Sequence, residues 1–355
     1  MKIYKNLFDK IIDLENLFNS WDEFKSDKRN RKDVLEFEWY LERNIFVLHN
    51  ELKTRKYHHS PYSTFYIQDP KQRRINKATV RDRILHHAIF TILNPLFEPT
   101  FISHSFSCRI GKGTHKGVRT LAQMLRKESQ NNFQDCFALK CDVQKFFDSV
   151  NHYILINILA KKIKDPDVMW LLKEIISSYS TKKSDIFNKR GIPIGNLTSQ
   201  MFANVYMNEL DLFIKHKLRI KNYVRYTDDF IIVSQDKNYL KKMVKEIGSF
   251  FKKELNLNLH PNKMSIRKYF QGIDFLGYVV FPNHILVRHK TEKRILKKIQ
   301  ALFKGYTTGS VTKEYLEAAF CSYLGVLSHA NAFELSQKLK NDYLLWVKQD
   351  YFLSK

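Results

Sequence analysis

The chain has 355 residues, with 60 Lys and Arg against 36 Asp and Glu and a formal net charge of +24. That length allows two or three packed subdomains without disulfide support, and the sign of the charge points to polyanions, nucleic acid first and an acidic membrane surface second. Four cysteines, Cys108, Cys136, Cys141 and Cys321, show no paired spacing and no matching His pair, which argues against a zinc module or a disulfide framework and predicts reduced core thiols.

Residues Met1 to Lys5 meet Asp9, Lys10 and Asp13 before any apolar run lengthens, so no signal peptide is expected. No stretch approaches about 18 apolar residues, and a cytoplasmic protein without a membrane partner is the expectation. Up to about residue 60 the apolar residues recur at helical spacing. Phe8, Ile11, Ile12, Leu14 and Leu17 come first, then Val34, Phe37, Tyr40, Leu41, Ile45 and Leu48, which predicts two or three helices. From Pro61 to Arg74 the pattern alternates around Tyr62, Phe65, Tyr66 and Ile67, predicting a β-ribbon that ends in the basic run Lys71 to Arg74. A helix from about Val80 to Leu93 follows. Its adjacent His86 and His87 invite a metal reading, but neighbouring helical residues face different directions, which favours packing.

From about 100 to 280, short β-branched runs alternate with long helical patterns, giving an α+β class. The tail from about Arg288 is helical only. Its first helix carries Arg288, Lys290, Lys293, Arg294, Lys297, Lys298 and Lys304, with Ile295, Leu296, Ile299, Leu302 and Phe303 on another stripe. Glycine is scarce, 11 in all, and clusters at Gly111, Gly113 and Gly117, at Gly191 and Gly195, and at Gly272 and Gly277, as tight turns or close approach of a ligand require.

Two segments carry the acids. Phe137 to Val143 reads as a buried strand with Asp142 at its carboxyl end, followed by Phe146-Phe147-Asp148 and a helix opening near Asn151. Tyr223 to Val233 places Asp228 and Asp229 between two short apolar strands, the form of a hairpin with acids at its turn. Strand alternation sends Asp228 and Asp229 to opposite faces, so Asp228 is the one expected to share a site with Asp142, unless the turn bends both inward. Two carboxylates about 4 Å apart repel by roughly 4 kcal/mol at an effective dielectric near 20, a penalty that a divalent cation removes. Hard carboxylate oxygen donors select Mg²⁺, or Mn²⁺ as a substitute, and two such ions suit nucleotidyl transfer.

Asp142 with Phe146-Phe147-Asp148, and Tyr226-Thr227-Asp228-Asp229, resemble the first and third palm motifs of reverse transcriptases. The resemblance implies a right-hand polymerase fold with fingers, a palm of antiparallel sheet plus helices, and a helical thumb. It implies Asp142 and Asp228 as principal metal ligands, Asp229 as the second acid of the pair, and the carbonyl of Val143 as a further ligand. Phe147 matches the bulky residue that blocks a ribose 2′-hydroxyl and favours DNA precursors; its other reading is a core aromatic. The segment Gly191-Ile192-Pro193-Ile194-Gly195-Asn196-Leu197-Thr198-Ser199-Gln200 opens a helix, with Gly195 letting backbone approach the nucleotide. Most of the family have Gln before this Gly and Ser-Pro at the far end. Ile194 and Ser199-Gln200 instead resemble the enzymes of diversity-generating retroelements, and an aliphatic Ile194 lacks the hydrogen bonds of an amide, consistent with adenine-directed misincorporation.

Arg81 to Ile89 and Ser105 to His115 resemble the fingers motifs of the same subgroup. By that similarity Arg74 and Arg109 are candidates for the triphosphate, with template phosphates or a structural ion pair as the alternatives. Lys263 matches a palm Lys that protonates departing pyrophosphate, or is simply solvated. Phe275-Leu276-Gly277-Tyr278 resembles a primer-grip hairpin, and the basic helix, through Lys293, Arg294, Lys297 and Lys298, fits a thumb lying along template-primer duplex. The expected division is 1–60 helical extension, 61–280 fingers and palm, and 281–355 helical thumb. With 75 residues after Val280, neither an endonuclease nor an RNase H domain is expected. The implied partners are template RNA, RNA–DNA duplex, dNTPs and a basic accessory variability determinant, normally a homopentamer, in a bacterial, archaeal or phage-encoded setting. The rival readings are a retron, group II intron or abortive-infection reverse transcriptase, and a catalytically silent RNA-binding scaffold of the same fold.

Overall fold

In a computed structural model, which describes residues 2–68, 72–181 and 188–353, four helices fill the N-terminal stretch. They are α1 (Phe8–Ile12), α2 (Leu14–Lys25), α3 (Lys32–Trp39) and α4 (Leu41–Lys53). The sequence predicts two or three. The extra breaks fall at single residues, Asp13 with ψ 135° and Tyr40 with φ −120° and ψ 35°, which interrupt the backbone without interrupting the apolar period. Strands β1 (Ser63–Gln68) and β2 (Gln72–Lys77) pair antiparallel with Tyr66 opposite Arg74, as the ribbon requires. Lys71 of the predicted basic run lies outside the described residues.

Thr79 starts α5 (Val80–Phe97) by accepting the Asp82 N–H on its hydroxyl, and the helix runs past the predicted Leu93 with Pro95 in its last turn. Next come α6 (Thr114–Glu128), β3 (Phe137–Cys141), the single turn α7 (Phe146–Ser149), α8 (His152–Lys162) and α9 (Pro166–Ser177). Side-chain caps fix the starts of the last two: Asn151 accepts from Ile154 N–H, and Asp165 accepts from the N–H groups of Asp167 and Val168 with Pro166 in the first turn. Helix α10 (Leu197–Leu212) runs into a π-helical turn at Phe213–Lys217. Strands β4 (Tyr223–Tyr226) and β5 (Asp229–Ser234) and helix α11 (Lys237–Phe250) follow. The rest is β6 (Ser265–Lys268), β7 (Ile273–Phe275), β8 (Tyr278–Val280), β9 (Ile285–Val287), α12 (His289–Thr307), α13 (Lys313–Leu327) and α14 (Phe333–Leu353).

These elements make a two-stranded ribbon, a four-stranded sheet in the order β4-β5-β3-β6 and a three-stranded antiparallel sheet β7-β8-β9, the α+β class expected. The chain divides into two compact units. The first comprises Met1–Lys112, Cys141–Phe230 and Lys241–Met264, and so contains Asp142, Asp228, Asp229 and Lys263. Its core is built on α5 and α10, which bury Ile84, Leu85, Ile89, Phe202, Tyr206 and Leu210. The second comprises Gly113–Lys140, Ile231–Leu240 and Ser265–Lys355. There β3 pairs antiparallel with β6, and Ile295, Ile299, Phe320, Leu327 and Leu339 form a buried cluster among α12, α13 and α14. Strand β9 ends at Val287, and from His289 the tail is helical, close to the expected start at Arg288. Among the described residues no helix is long and apolar enough to cross a membrane.

Candidate active site

Strand β3 delivers Asp142 to the point where its ladder stops, and the backbone there is held from one side. The N–H of His260 donates to the carbonyl of Asp142 at 2.8 Å, the N–H of Gln144 donates to the carbonyl of Asn258 at 2.9 Å, and Val143 bridges Leu259 between them. Lys145 then takes a left-handed conformation, φ 47°, which turns the chain into α7. Phe146 is buried, whereas Phe147 is half-buried and edge-on to it at 5.4 Å between ring centroids. Phe147 is therefore not wholly taken up by the core.

The hairpin β4-β5 turns through Thr227 and Asp228. Thr227 sits at φ 54°, a region that costs a β-branched residue of the order of 1–3 kcal/mol. Beneath it the fully buried Arg225 donates to both oxygens of the fully buried Asp211, at 2.8 and 2.6 Å, and to the carbonyl of Thr227 at 3.0 Å. Burial alone would pull this guanidinium down, but the Asp211 charge beside it prevails and holds it above its ordinary value.

Asp142 and Asp228 act on each other. Burial first, and then the Asp142 charge, push the Asp228 carboxyl up to about 7, with Asp229 adding less and Lys263 opposing. The ammonium of Lys263 lies 2.7 and 2.8 Å from the two Asp142 oxygens, so one cation already sits on this acid. Burial, then Asp229, then Asp142 push the Cys141 thiol up to about 12, which keeps it protonated and inert. Among the described residues no three His, Cys, Asp or Glu side chains gather in ligating geometry. The Asp228 carboxyl feels both Asp142 and Asp229, so the three acids lie within electrostatic reach of one another. Asp229 opens β5 and, like Asp142, acts on the Cys141 thiol. The donor set still fits a hard cation: it consists of carboxylate oxygens whose mutual repulsion is expressed in the raised Asp228 and which already attract an ammonium. Asp142, Asp228 and the Val143 carbonyl would hold Mg²⁺, with Asp229 as the adjoining acid.

A cleft of about 610 Å³ is lined by Arg73, Arg74, Lys145 and Arg190 against the single acid Asp148, together with Tyr179 and Ile194. Four cations against one carboxylate favour an anion as large as a nucleoside triphosphate. Arg74 and Ile194 are brought together here as expected. Arg73, Lys145, Arg190 and Tyr179 are additions; Arg73 stands in the basic run and Arg190 directly before Gly191, which were the available signals. Gly195 has φ 112°, and a Cβ there would lie 2.8 Å from Ile75 Cγ2, so glycine is required. The neighbouring Ile194 carbonyl accepts from Asn76 N–H at 3.1 Å, tying the glycine loop to β2. Gln200 is exposed in the first turn of α10, whereas Ser199 is buried.

Arg109 is not free for a triphosphate. Its side chain is 6% exposed, donates to Glu98 Oε1 at 2.8 Å and to the carbonyls of Ile102 and Ser105, and lies over Phe101. The structural ion pair is the reading that holds. His86 is buried, pushed down to about 3 by burial and then by His59, and stacked with that ring, whereas His87 packs edge-on to Phe24. Both histidines pack, as expected. In the second unit, Leu276 at φ 50° and Gly277 at φ 91° make the two-residue turn between β7 and β8. Ile295 and Ile299 face the helical cluster while Lys293 and Lys297 are exposed and Arg294 and Lys298 half-buried, so α12 is amphipathic in the predicted sense.

Residues 67–280 match the family model described as Reverse transcriptase (RNA-dependent DNA polymerase). The chain is 24% identical over 292 residues to Protein YkfC of Escherichia coli, covering 71% of this chain and 74% of that one. It is 23% identical over 307 residues to the Group II intron-encoded protein LtrA of Lactococcus lactis subsp. cremoris, covering 67% of this chain and 50% of LtrA. It is also 23% identical over 313 residues to the Putative COX1/OXI3 intron 2 protein of Saccharomyces cerevisiae, covering 71% of this chain and 35% of that protein. The chain thus spans most of YkfC but at most half of the two intron proteins.

Proposed function

The chain belongs to the reverse transcriptase (RNA-dependent DNA polymerase) family, and we propose that it copies a template-repeat RNA into cDNA with misincorporation opposite adenine, as the polymerase of a diversity-generating retroelement. The observation that carries the polymerase chemistry is the Asp142–Asp228 pair with Lys263 on Asp142. Mg²⁺ bound there supplies the charge that activates a primer 3′-hydroxyl and neutralises a departing pyrophosphate. Arg74, with Arg73, Lys145 and Arg190, holds the triphosphate; Phe147 lies against the sugar and favours dNTPs; Gly195 and Gln200 border the nucleotide. Lys263 has a proton to give to the pyrophosphate once it leaves Asp142. Lys293, Arg294, Lys297 and Lys298 meet template-primer phosphates. On this reading 1–60 is a helical extension, 61–280 the fingers and palm and 281–355 the thumb of a right-hand polymerase. The partners are the element's RNA and a basic accessory protein, in a cytoplasmic setting.

Ile194 supports the retroelement subgroup, because it lines the nucleotide cleft where an amide would hydrogen-bond. A second reading is a group II intron-type enzyme, supported by the likeness to LtrA and the yeast intron protein. Primer extension with Mg²⁺ by wild type and by Asp142→Asn tests the polymerase, and equal rates would remove the assigned site. Ile194→Gln tests the subgroup: fewer errors opposite template adenine are expected, and an unchanged error spectrum favours the intron-type reading.

A further inference from the structure

We propose that Arg225 and Ser107 are positioning residues for nucleotidyl transfer: together they clamp Thr227 in its left-handed conformation and so aim Asp228 at Asp142. This rests on the polymerase reading above and names the device that orders its metal site.

A two-residue hairpin turn normally obtains a positive φ from Gly, Asn or Asp. Here the residue at φ 54° is Thr227, whose branched Cβ disfavours that region. What Thr offers in exchange is two polar handles, and both are held. Its carbonyl accepts from Arg225 Nη1 at 3.0 Å, and its hydroxyl donates to Ser107 Oγ at 2.6 Å. Each partner is itself fixed. Arg225 grips Asp211 of α10 with two nitrogens, the Tyr223 hydroxyl donates to the same carboxylate at 2.7 Å, and the Arg225 backbone bonds to His104 and Phe106 at 3.0 Å. The Ser107 carbonyl accepts from Asn204 Nδ2, also on α10, at 2.9 Å. The turn before Asp228 is therefore built on α10 and on the 104–107 segment rather than on its own preference. A buried ion pair contributes little stability over an apolar replacement, so orientation is the better account of why Arg225 and Asp211 stand there.

Arg225→Ala would strand the Asp211 charge and threaten folding, so the test uses Ser107→Ala, Thr227→Val, their double variant and Thr227→Ser in the full chain. Thr227→Val keeps the branched shape and loses only the hydroxyl. We expect Ser107→Ala and Thr227→Val each to lower kcat about ten-fold with KM for dNTP little changed, since misplacement at a reacting centre acts on turnover. Mn²⁺ affinity, measured by electron paramagnetic resonance without nucleotide, should fall alongside. The double variant should be no worse than either single, because both remove one bond, and Thr227→Ser should behave as wild type. Unfolding midpoints should stay near wild type. Wild-type kcat and Mn²⁺ affinity in both single variants, multiplicative losses in the double, or losses that merely follow the unfolding midpoint would each overturn the clamp. Failure of the polymerase reading looks different: wild type and Asp142→Asn would extend a primer equally, and the Mn²⁺ measurement would still decide the clamp.

Discussion

Replacing Asp228 by Asn should stabilise the metal-free protein at alkaline pH while abolishing its chemistry. The Asp228 carboxyl is raised from 3.8 to about 7, by burial and then by Asp142. The folded state therefore binds this proton more tightly than the unfolded chain does, and stability is lost as pH rises from about 4 through about 7, the full loss being present above that window. At about 1.36 kcal/mol per decade the shift corresponds to about 4 kcal/mol. Solvent at a half-buried site screens part of it, so about 2 kcal/mol is the expected difference. Urea unfolding in EDTA, repeated from pH 5 to pH 9, would read it: Asp228→Asn should be more stable than wild type above pH 7 and lack the downward slope. Adding Mg²⁺ should stabilise wild type and leave the variant unmoved. An Asn variant with the same slope as wild type, or one less stable at pH 8 in EDTA, would refute the raised Asp228 carboxyl.

Lys263→Met removes the ammonium from Asp142, so Mn²⁺ affinity of the nucleotide-free chain should rise while turnover falls by about 10²; unchanged Mn²⁺ affinity in titration would show that the lysine does not compete for the acid. Gly195→Ala forces a Cβ against Ile75 at φ 112° and should cost about 1–3 kcal/mol in denaturant melts and raise KM for dNTP. Neutralising Lys293 and Lys297 should lower the salt dependence of template-primer binding by about one log unit per log unit of salt at each position, read by fluorescence anisotropy. A slope equal to wild type would make that helix face merely solvated.

The elements around the acids were legible because their signals are local. A short, mostly apolar run that ends in Asp142, and two short runs either side of Asp228, state strand, turn and strand in their own composition. Alternation expects Asp228 and Asp229 on opposite faces unless the turn bends both inward. Tertiary pairing was not legible. Nothing near Arg109 says that Glu98 and two carbonyls will enclose it, so a basic residue in a fingers motif reads as a phosphate ligand. Lys263 reaches Asp142 across 121 positions, a contact that only the folded chain creates. The left-handed Thr227 was hidden for another reason: its residue type argues against that conformation, and the cause lies in Arg225 and Ser107. The N-terminal helices were undercounted because breaks of one residue at Asp13 and Tyr40 leave the hydrophobic period intact.

The proposed polymerase chemistry requires Asp142 and Asp228 to hold divalent cations. Crystals with template-primer, nucleotide and Mn²⁺, measured at the manganese edge, test it most directly. Anomalous density against both carboxylates is predicted, with Lys263 withdrawn from Asp142. Density that avoids Asp142 and Asp228, with Lys263 still seated on its acid, would contradict the account.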